Sequence, residues 1–439
     1  MNTIKTNKSF WAVVTTAFSG TFLFVGYSLM RSATPPLFIE AYGKQNLPLA
    51  LALVTLLACL TVYVYGKCLK KYGARYSFYI MTAITFVAIL LSYIGVLNHI
   101  SLAAGFMHIF KDVYIVLLVE QHWSFLNSSI DKSIGKRWIG PTSGMMAIGS
   151  LVGGVMVKYF VVSFGTPHLL PLVALLLIPM SIMMEMGYRK CGEPKPTIEE
   201  KETTKNNNES VFSTKILKKN PQLFYLLLVV LISQMVSAST TLRLQGAVSD
   251  NYNLVDQQTA FFGMYYSYMA IATALFQFIL SPYVFTRFSL KLVQVLIPLL
   301  HFSIAIIAIL SPSLLTISLA ALIFKSVDYS MFRGAKELIY IPLSFDGRYR
   351  AKQLIDVFGY RFGKSGVALL VTAFRKFGVM GEAGYAVMTV LASSAWIVAS
   401  IPMAMQSEKS TKKLSSSLRT KTPVLRTKNT VVGQESYVG

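Results

Sequence analysis

Twelve apolar runs, most of them near twenty residues long, divide the chain between residues 11 and 404, and most of its charge lies outside them. They cover 11–32, 46–66, 76–97, 101–127, 138–159, 167–187, 221–245, 257–280, 290–309, 312–341, 359–378 and 383–404. A bilayer core about 30 Å thick is crossed by about 20 apolar residues in an α-helix, because lipid offers the backbone no other hydrogen-bond partner. The alternating short segments of a membrane barrel do not occur. The fold class is therefore an all-α polytopic membrane protein with twelve transmembrane helices in two six-helix bundles. Its 54% hydrophobic and 14% charged residues lie outside the soluble range of roughly 45–50% and about 25%. The start, MNTIKTNKSF, leads into an apolar run without a small-residue cleavage site and reads as a retained first span.

A net charge of +22 would suggest nucleic acid in a soluble chain; here its placement matters more. Connections after even-numbered spans hold Lys67, Lys70, Lys71 and Arg75, then Lys132, Lys136 and Arg137, then Arg287 and Lys291, then Arg348, Arg350 and Lys352. Those after odd-numbered spans are nearly bare, and 246–256 holds Asp250 and Asp256 with no basic residue; Lys44, Arg375 and Lys376 are exceptions. This asymmetry predicts cytoplasmic N- and C-termini and no nucleic-acid partner. Three cysteines and five scattered histidines give neither a disulfide framework nor a metal site, and no cofactor is expected.

The polar stretch 189–220 separates six spans from six and reads as a flexible linker. The expected organisation is a bundle at 1–188, the linker at 189–220, a second bundle at 221–405 and a basic, disordered tail at 406–439. The tail reads as ordinary positive-inside bias more than as a lipid anchor. Two correspondences suggest pseudo-equivalent halves: SLMRS and TTLRL close spans one and seven, putting Arg31 and Arg243 at matching depths, and spans four and ten carry internal charges. The small-residue run GMMAIGSLVGG (144–154) permits close helix packing.

Ionisable residues within spans are costly and normally face a cavity or one another. The candidates are Arg31, Lys111, Asp112, Glu120, Arg243, Lys325, Asp328, Arg333, Lys336 and Glu337, six basic and four acidic. The excess favours an anionic substrate, with Arg31, Arg243, Lys111, Lys325 and Lys336 as contacts and guanidinium groups suited to phosphate. Asp112, Glu120, Asp328, Arg333 and Glu337 are the coupling or charge-pair candidates. Lys325 with Asp328, and Arg333 with Glu337, have the spacing of same-face pairs. Lys111 and Asp112 are adjacent, which predicts different directions for the two. The letters GKS at 363–365 do not complete a phosphate loop, since Phe358 stands where its first glycine belongs.

Two motifs resemble known families. YGKCLKKYGARYS (65–77) resembles the loop signature of the major facilitator superfamily, with Lys70 replacing its aspartate. KELIYIPLSFDGRYRAKQLIDVFGYRFGKSG (336–366) resembles the bacterial and plastidic ATP/ADP translocases, as does the stretch with Trp123, Phe125, Asn127, Lys136 and Arg137. At the first span only Arg31 matches; Thr34 and Pro35 stand where that family has lysine and aspartate. The resemblance implies a facilitator-like fold, alternating access and nucleotide transport across a bacterial inner membrane, usually by exchange. It makes Asn127, Lys352, Asp356, Arg361 and Lys364 gate or loop residues. The expected partners are a nucleotide or organophosphate, protons in some members, and membrane lipids, with a monomer as the working unit. The alternatives are a proton-coupled transporter of another anionic metabolite, with Glu120 or Asp328 titrating, and a non-transporting receptor or scaffold; an enzyme is least expected.

Overall fold

The computed structural model describes residues 2–130, 132–193, 221–340, 355, 359–377 and 382–421; side chains are described from residue 8 to 405, except 131–137, 361 and 382 within those segments. Among the described residues there is no strand. The helices are α1 (Asn2–Tyr42), α2 (Leu47–Leu97), α3 (Ser101–Ser129), α4 (Lys132–Phe164), α5 (Leu169–Cys191) and α6 (Pro221–Asn251). They continue as α7 (Val255–Arg287), α8 (Leu290–Leu310), α9 (Leu314–Tyr340), α10 (Tyr360–Lys376) and α11 (Glu382–Lys421).

Ten of the described helical segments are long and apolar enough to cross a membrane. One of them contains α2, which is about twice the needed length. Gly73 divides it into legs 47–72 and 74–97 by taking φ 77° and ψ 178°, a region essentially reserved for glycine. Counting the two legs separately gives eleven such segments among the described residues; α10, with 17 residues, stands where the expected eleventh span lies but is not among them. Gly43, Gly165 and Gly192 end α1, α4 and α5 with φ of 76°, 81° and 88°. The fold is an all-α polytopic membrane protein. α11 continues to Lys421, so helix extends beyond residue 405 into the segment expected to be disordered.

Each sequence half packs on its own core. Leu29, Met107, Phe125, Leu170 and Met184 join α1, α3 and α5; Val229, Phe324, Phe332 and Trp396 join α6, α9 and α11. Large apolar side chains such as Leu56, Leu91, Val162 and Leu391 remain exposed on the outside, where lipid is their natural solvent.

The halves meet along α4 and α7. A Cβ at Gly154 would lie 2.6 Å from the Gly263 carbonyl oxygen and 2.3 Å from Ser267 Oγ, so the absence of side chains lets the backbones touch. On the face opposite the N-terminus the halves are also tied by polar contacts. Lys44 Nζ donates to both carboxylate oxygens of Asp250, at 2.5 and 2.7 Å. The Thr166 N–H and hydroxyl donate to Asp256 Oδ1 at 2.8 and 2.6 Å. A mixed apolar cluster of Phe38, Leu47, Leu242, Val371 and Tyr385 lies beneath them.

The basic turn of the facilitator-like loop is held differently. Arg75 donates from Nε to Glu185 at 3.0 Å and from its backbone N–H to Glu193 at 3.0 Å, both within the first half. Arg189 Nε adds a bond to Glu185 at 2.6 Å. Gly73→Ala is expected to destabilise the protein by about 1–3 kcal/mol, since it forces a side chain into a glycine conformation. Its Cβ would also meet Glu193. A detergent-solubilised melting curve that matches wild type would show that the turn is not rigid.

Candidate substrate site

A cavity of about 140 Å³ lies between the halves, at the level where α1 and α3 face α6, α7, α9 and α10. Arg31, Lys111, Asp112, Lys325 and Lys364 line it, with an aromatic wall of Tyr27, Phe262, Tyr265, Tyr266 and Tyr329. Four cations against one carboxylate give a formal surplus of three positive charges. Taking these groups out of water is costly, and an entering anion would offset that cost by pairing with them. The volume is below the roughly 300–1,000 Å³ of ordinary small-molecule pockets, so a larger ligand requires the halves to part.

Arg31 is 8% exposed. Its Nη2 donates to Ser150 Oγ on α4 at 2.7 Å and to Ser28 Oγ on its own helix at 3.2 Å. Among the described residues its Nε has no hydrogen-bond partner. The guanidinium lies over the ring of Tyr266, 4.0 Å from the centroid. Lys325 Nζ donates to Ser237 Oγ on α6 at 2.7 Å.

Lys111 and Asp112 depart from expectation. Both line the cavity, and Lys111 Nζ bonds Asp112 Oδ2 at 3.2 Å and the His108 carbonyl at 2.5 Å. The long lysine stem folds back across the rise of one residue, which the helical spacing of the two backbones does not forbid. Lys325 and Asp328 form no ion pair among the described residues: the lysine reaches Ser237, while Asp328 sits at the start of a π turn, Asp328–Phe332, buried with Oδ1 unpartnered. Such turns redirect side chains within a helix and often accompany functional sites.

Other candidates lie elsewhere. Arg243 does not line this cavity; its Nη2 donates to the Ala308 carbonyl at 2.8 Å. Lys336 is buried in the second core, 4.5 Å from the Tyr360 ring centroid. Arg333 and Glu337 are exposed, and Arg333 lies 5.9 Å from the Tyr329 centroid. Glu120 and Asn127 are also exposed. Lys352, Asp356 and the Arg361 side chain lie outside the described residues. Lys364, expected at a gate or loop, instead faces the cavity from the second turn of α10. The aromatic run FFGMYYSYM (261–269) was the available sign of Tyr265 and Tyr266, since it sits inside a span and away from the interfacial belts.

A family model described as TLC ATP/ADP transporter matches residues 154–408. The chain is 28% identical over 147 residues to ADP,ATP carrier protein 4 of Rickettsia felis, covering 29% of each chain. It is 28% identical over 281 residues to the chloroplastic ADP,ATP carrier protein 2 of Arabidopsis thaliana, covering 56% of this chain and 45% of that one. The alignments thus span less than half the length of these relatives. A crystal structure of a D-xylose-proton symporter superposes with a TM-score of 0.61 at 14% identity, covering 88% of this chain and 97% of that one. At that identity the likeness concerns the fold alone.

Proposed function

Because the chain belongs to the TLC ATP/ADP transporter family, we propose that it is a secondary transporter of nucleotides or closely related organophosphates, working by exchange. The observation that carries this reading is the cavity between the halves, where Arg31, Lys111, Lys325 and Lys364 outnumber Asp112. Phosphate oxygens suit the guanidinium and ammonium groups, and Tyr27, Tyr265 and Tyr329 of the aromatic wall suit a base or sugar face. Alternating access would follow from rocking of the two six-helix bundles about this site. The opposite face to the N-terminus is the one held shut here, by Lys44 with Asp250 and Thr166 with Asp256. In this reading the protein is a monomer in a bacterial inner membrane, both termini are cytoplasmic, and the face held shut by Lys44 and Asp250 is the one away from the cytoplasm.

Counterflow in proteoliposomes tests the proposal. Vesicles loaded with unlabelled ATP, ADP, other nucleotides or sugar phosphates are expected to accumulate the labelled counterpart, with saturation. Folded protein that exchanges none of them would remove the substrate assignment. A second reading, proton-coupled transport of an anionic metabolite, is favoured by Asp328, a buried carboxyl with an unpartnered oxygen near the cavity. Uptake driven by a pH gradient and indifferent to internal nucleotide would select it.

A further inference from the structure

Resting on the anion-transport reading, we infer that Tyr266 is a positioning residue that couples occupancy of Arg31 to the seam between the halves. Arg31 belongs to α1, its hydroxyl partner Ser150 to α4, and the ring beneath it to α7 of the other half. The residues that follow these two partners also meet: Ser267 Oγ donates to the Leu151 carbonyl at 3.2 Å. Gly154 and Gly263 bring the same two helices into backbone contact one turn away. The guanidinium is thus a wedge set into the closest approach of the halves, and its stacked face belongs to Tyr266.

The geometry also says how an anion would use it. Nε and Nη2 share one edge of the guanidinium, the edge that takes two oxygens of a phosphate side by side. Nε has no partner among the described residues, whereas Nη2 is engaged by Ser28 and Ser150. A phosphate taking that edge competes with the serine hydroxyls and draws the plane off the ring. Binding therefore loosens contacts that hold α4 against α7, and the free energy of binding is passed to the motion of the halves.

The test uses the full-length chain in proteoliposomes and separates rate from affinity. Tyr266→Leu is expected to lower the maximal ADP exchange rate at least about tenfold while changing KM by less than about threefold. Tyr266→Phe keeps the ring face and is expected to restore most of the lost rate. An unchanged rate in Tyr266→Leu, a raised KM at full rate, or failure of Tyr266→Phe in folded protein would each overturn the inference. A second arm needs no substrate: spin labels at Tyr159 on α4 and Tyr268 on α7, both exposed, in a chain whose Cys59, Cys68 and Cys191 are replaced by serine. Their distance distribution is expected to shift to longer values in Tyr266→Leu and to stay at the wild-type value in Tyr266→Phe. No shift in Tyr266→Leu would sink the coupling role. Wild-type protein that exchanges neither ADP nor any other nucleotide or sugar phosphate would instead remove the transport reading, and the spin labels would still decide whether Tyr266 holds the seam.

Discussion

Arg31→Gln is expected to reduce nucleotide exchange about ten- to hundredfold while leaving the protein folded in the membrane. A hydrogen bond to a charged group contributes about 1.5–3 kcal/mol, and each 1.4 kcal/mol is roughly tenfold in rate or affinity. Glutamine ends near the position of Nε, short of the Nη2 that bonds the Ser150 hydroxyl, so the change removes the charge together with that hydrogen bond. Arg31→Lys is expected to fall between the two, because an ammonium retains charge but cannot offer a planar edge to two oxygens. Arg243→Gln is the informative contrast. Sequence symmetry equates it with Arg31, yet it donates to the Ala308 carbonyl and does not line the cavity. Exchange within about threefold of wild type is expected there. Equal losses at both arginines would mean that a second substrate position exists on α6.

Gly154→Val should abolish at least about nine-tenths of exchange by a different route. Its Cβ would overlap Ser267 Oγ and the Gly263 carbonyl oxygen, and the second of these is backbone that cannot step aside. The halves would be wedged apart along α4 and α7, so the closed arrangement described here could not form. Gly154→Ala has the same first clash with less bulk and should give an intermediate rate. Flux assays paired with a melting curve separate this from misfolding. Normal flux in Gly154→Val would indicate that the two helices are not in backbone contact at any required point of the cycle.

These expectations rest on contacts that were unequally legible in the sequence. Segment length and polarity were sufficient for the helices, because lipid leaves an apolar backbone no alternative and glycine at positive φ marks several of the stops. Even the fused α2 was readable as two spans, since Gly73 lies in the basic turn between them. The site was read in part. Arg31, Lys111, Asp112 and Lys325 were found as charges within spans, and the structure gathers them around one cavity. Lys364 lies in an expected span, but the family resemblance assigns it to a gate or loop; its turn into the cavity depends on the rotation of α10, which the sequence does not fix. Arg243 lies away from this cavity, because equal depth in two helices does not fix the direction of rotation about the helix axis. The contact of Tyr266 with Arg31 is not legible in the sequence for a related reason: an aromatic residue in a span is most often packing, and only the ring's position under a guanidinium from another helix distinguishes it.

The one-sided latch between Lys44 and Asp250 has a kinetic meaning as well as a structural one. Both side chains are partly exposed, 30% and 49%, and such ion pairs contribute no more than about 1 kcal/mol. In the proposed cycle, a bias of that size taken alone would leave roughly one molecule in six open toward that face at rest, the Thr166 and Asp256 contact lowering that share, and a ligand arriving there would bind at least about sixfold more weakly than its intrinsic affinity. A ligand arriving from the terminal face would meet no such handicap. Identical residues around a single cavity would then give unequal half-saturation concentrations on the two sides of the membrane, a polarity set by the resting population and not by the chemistry of recognition.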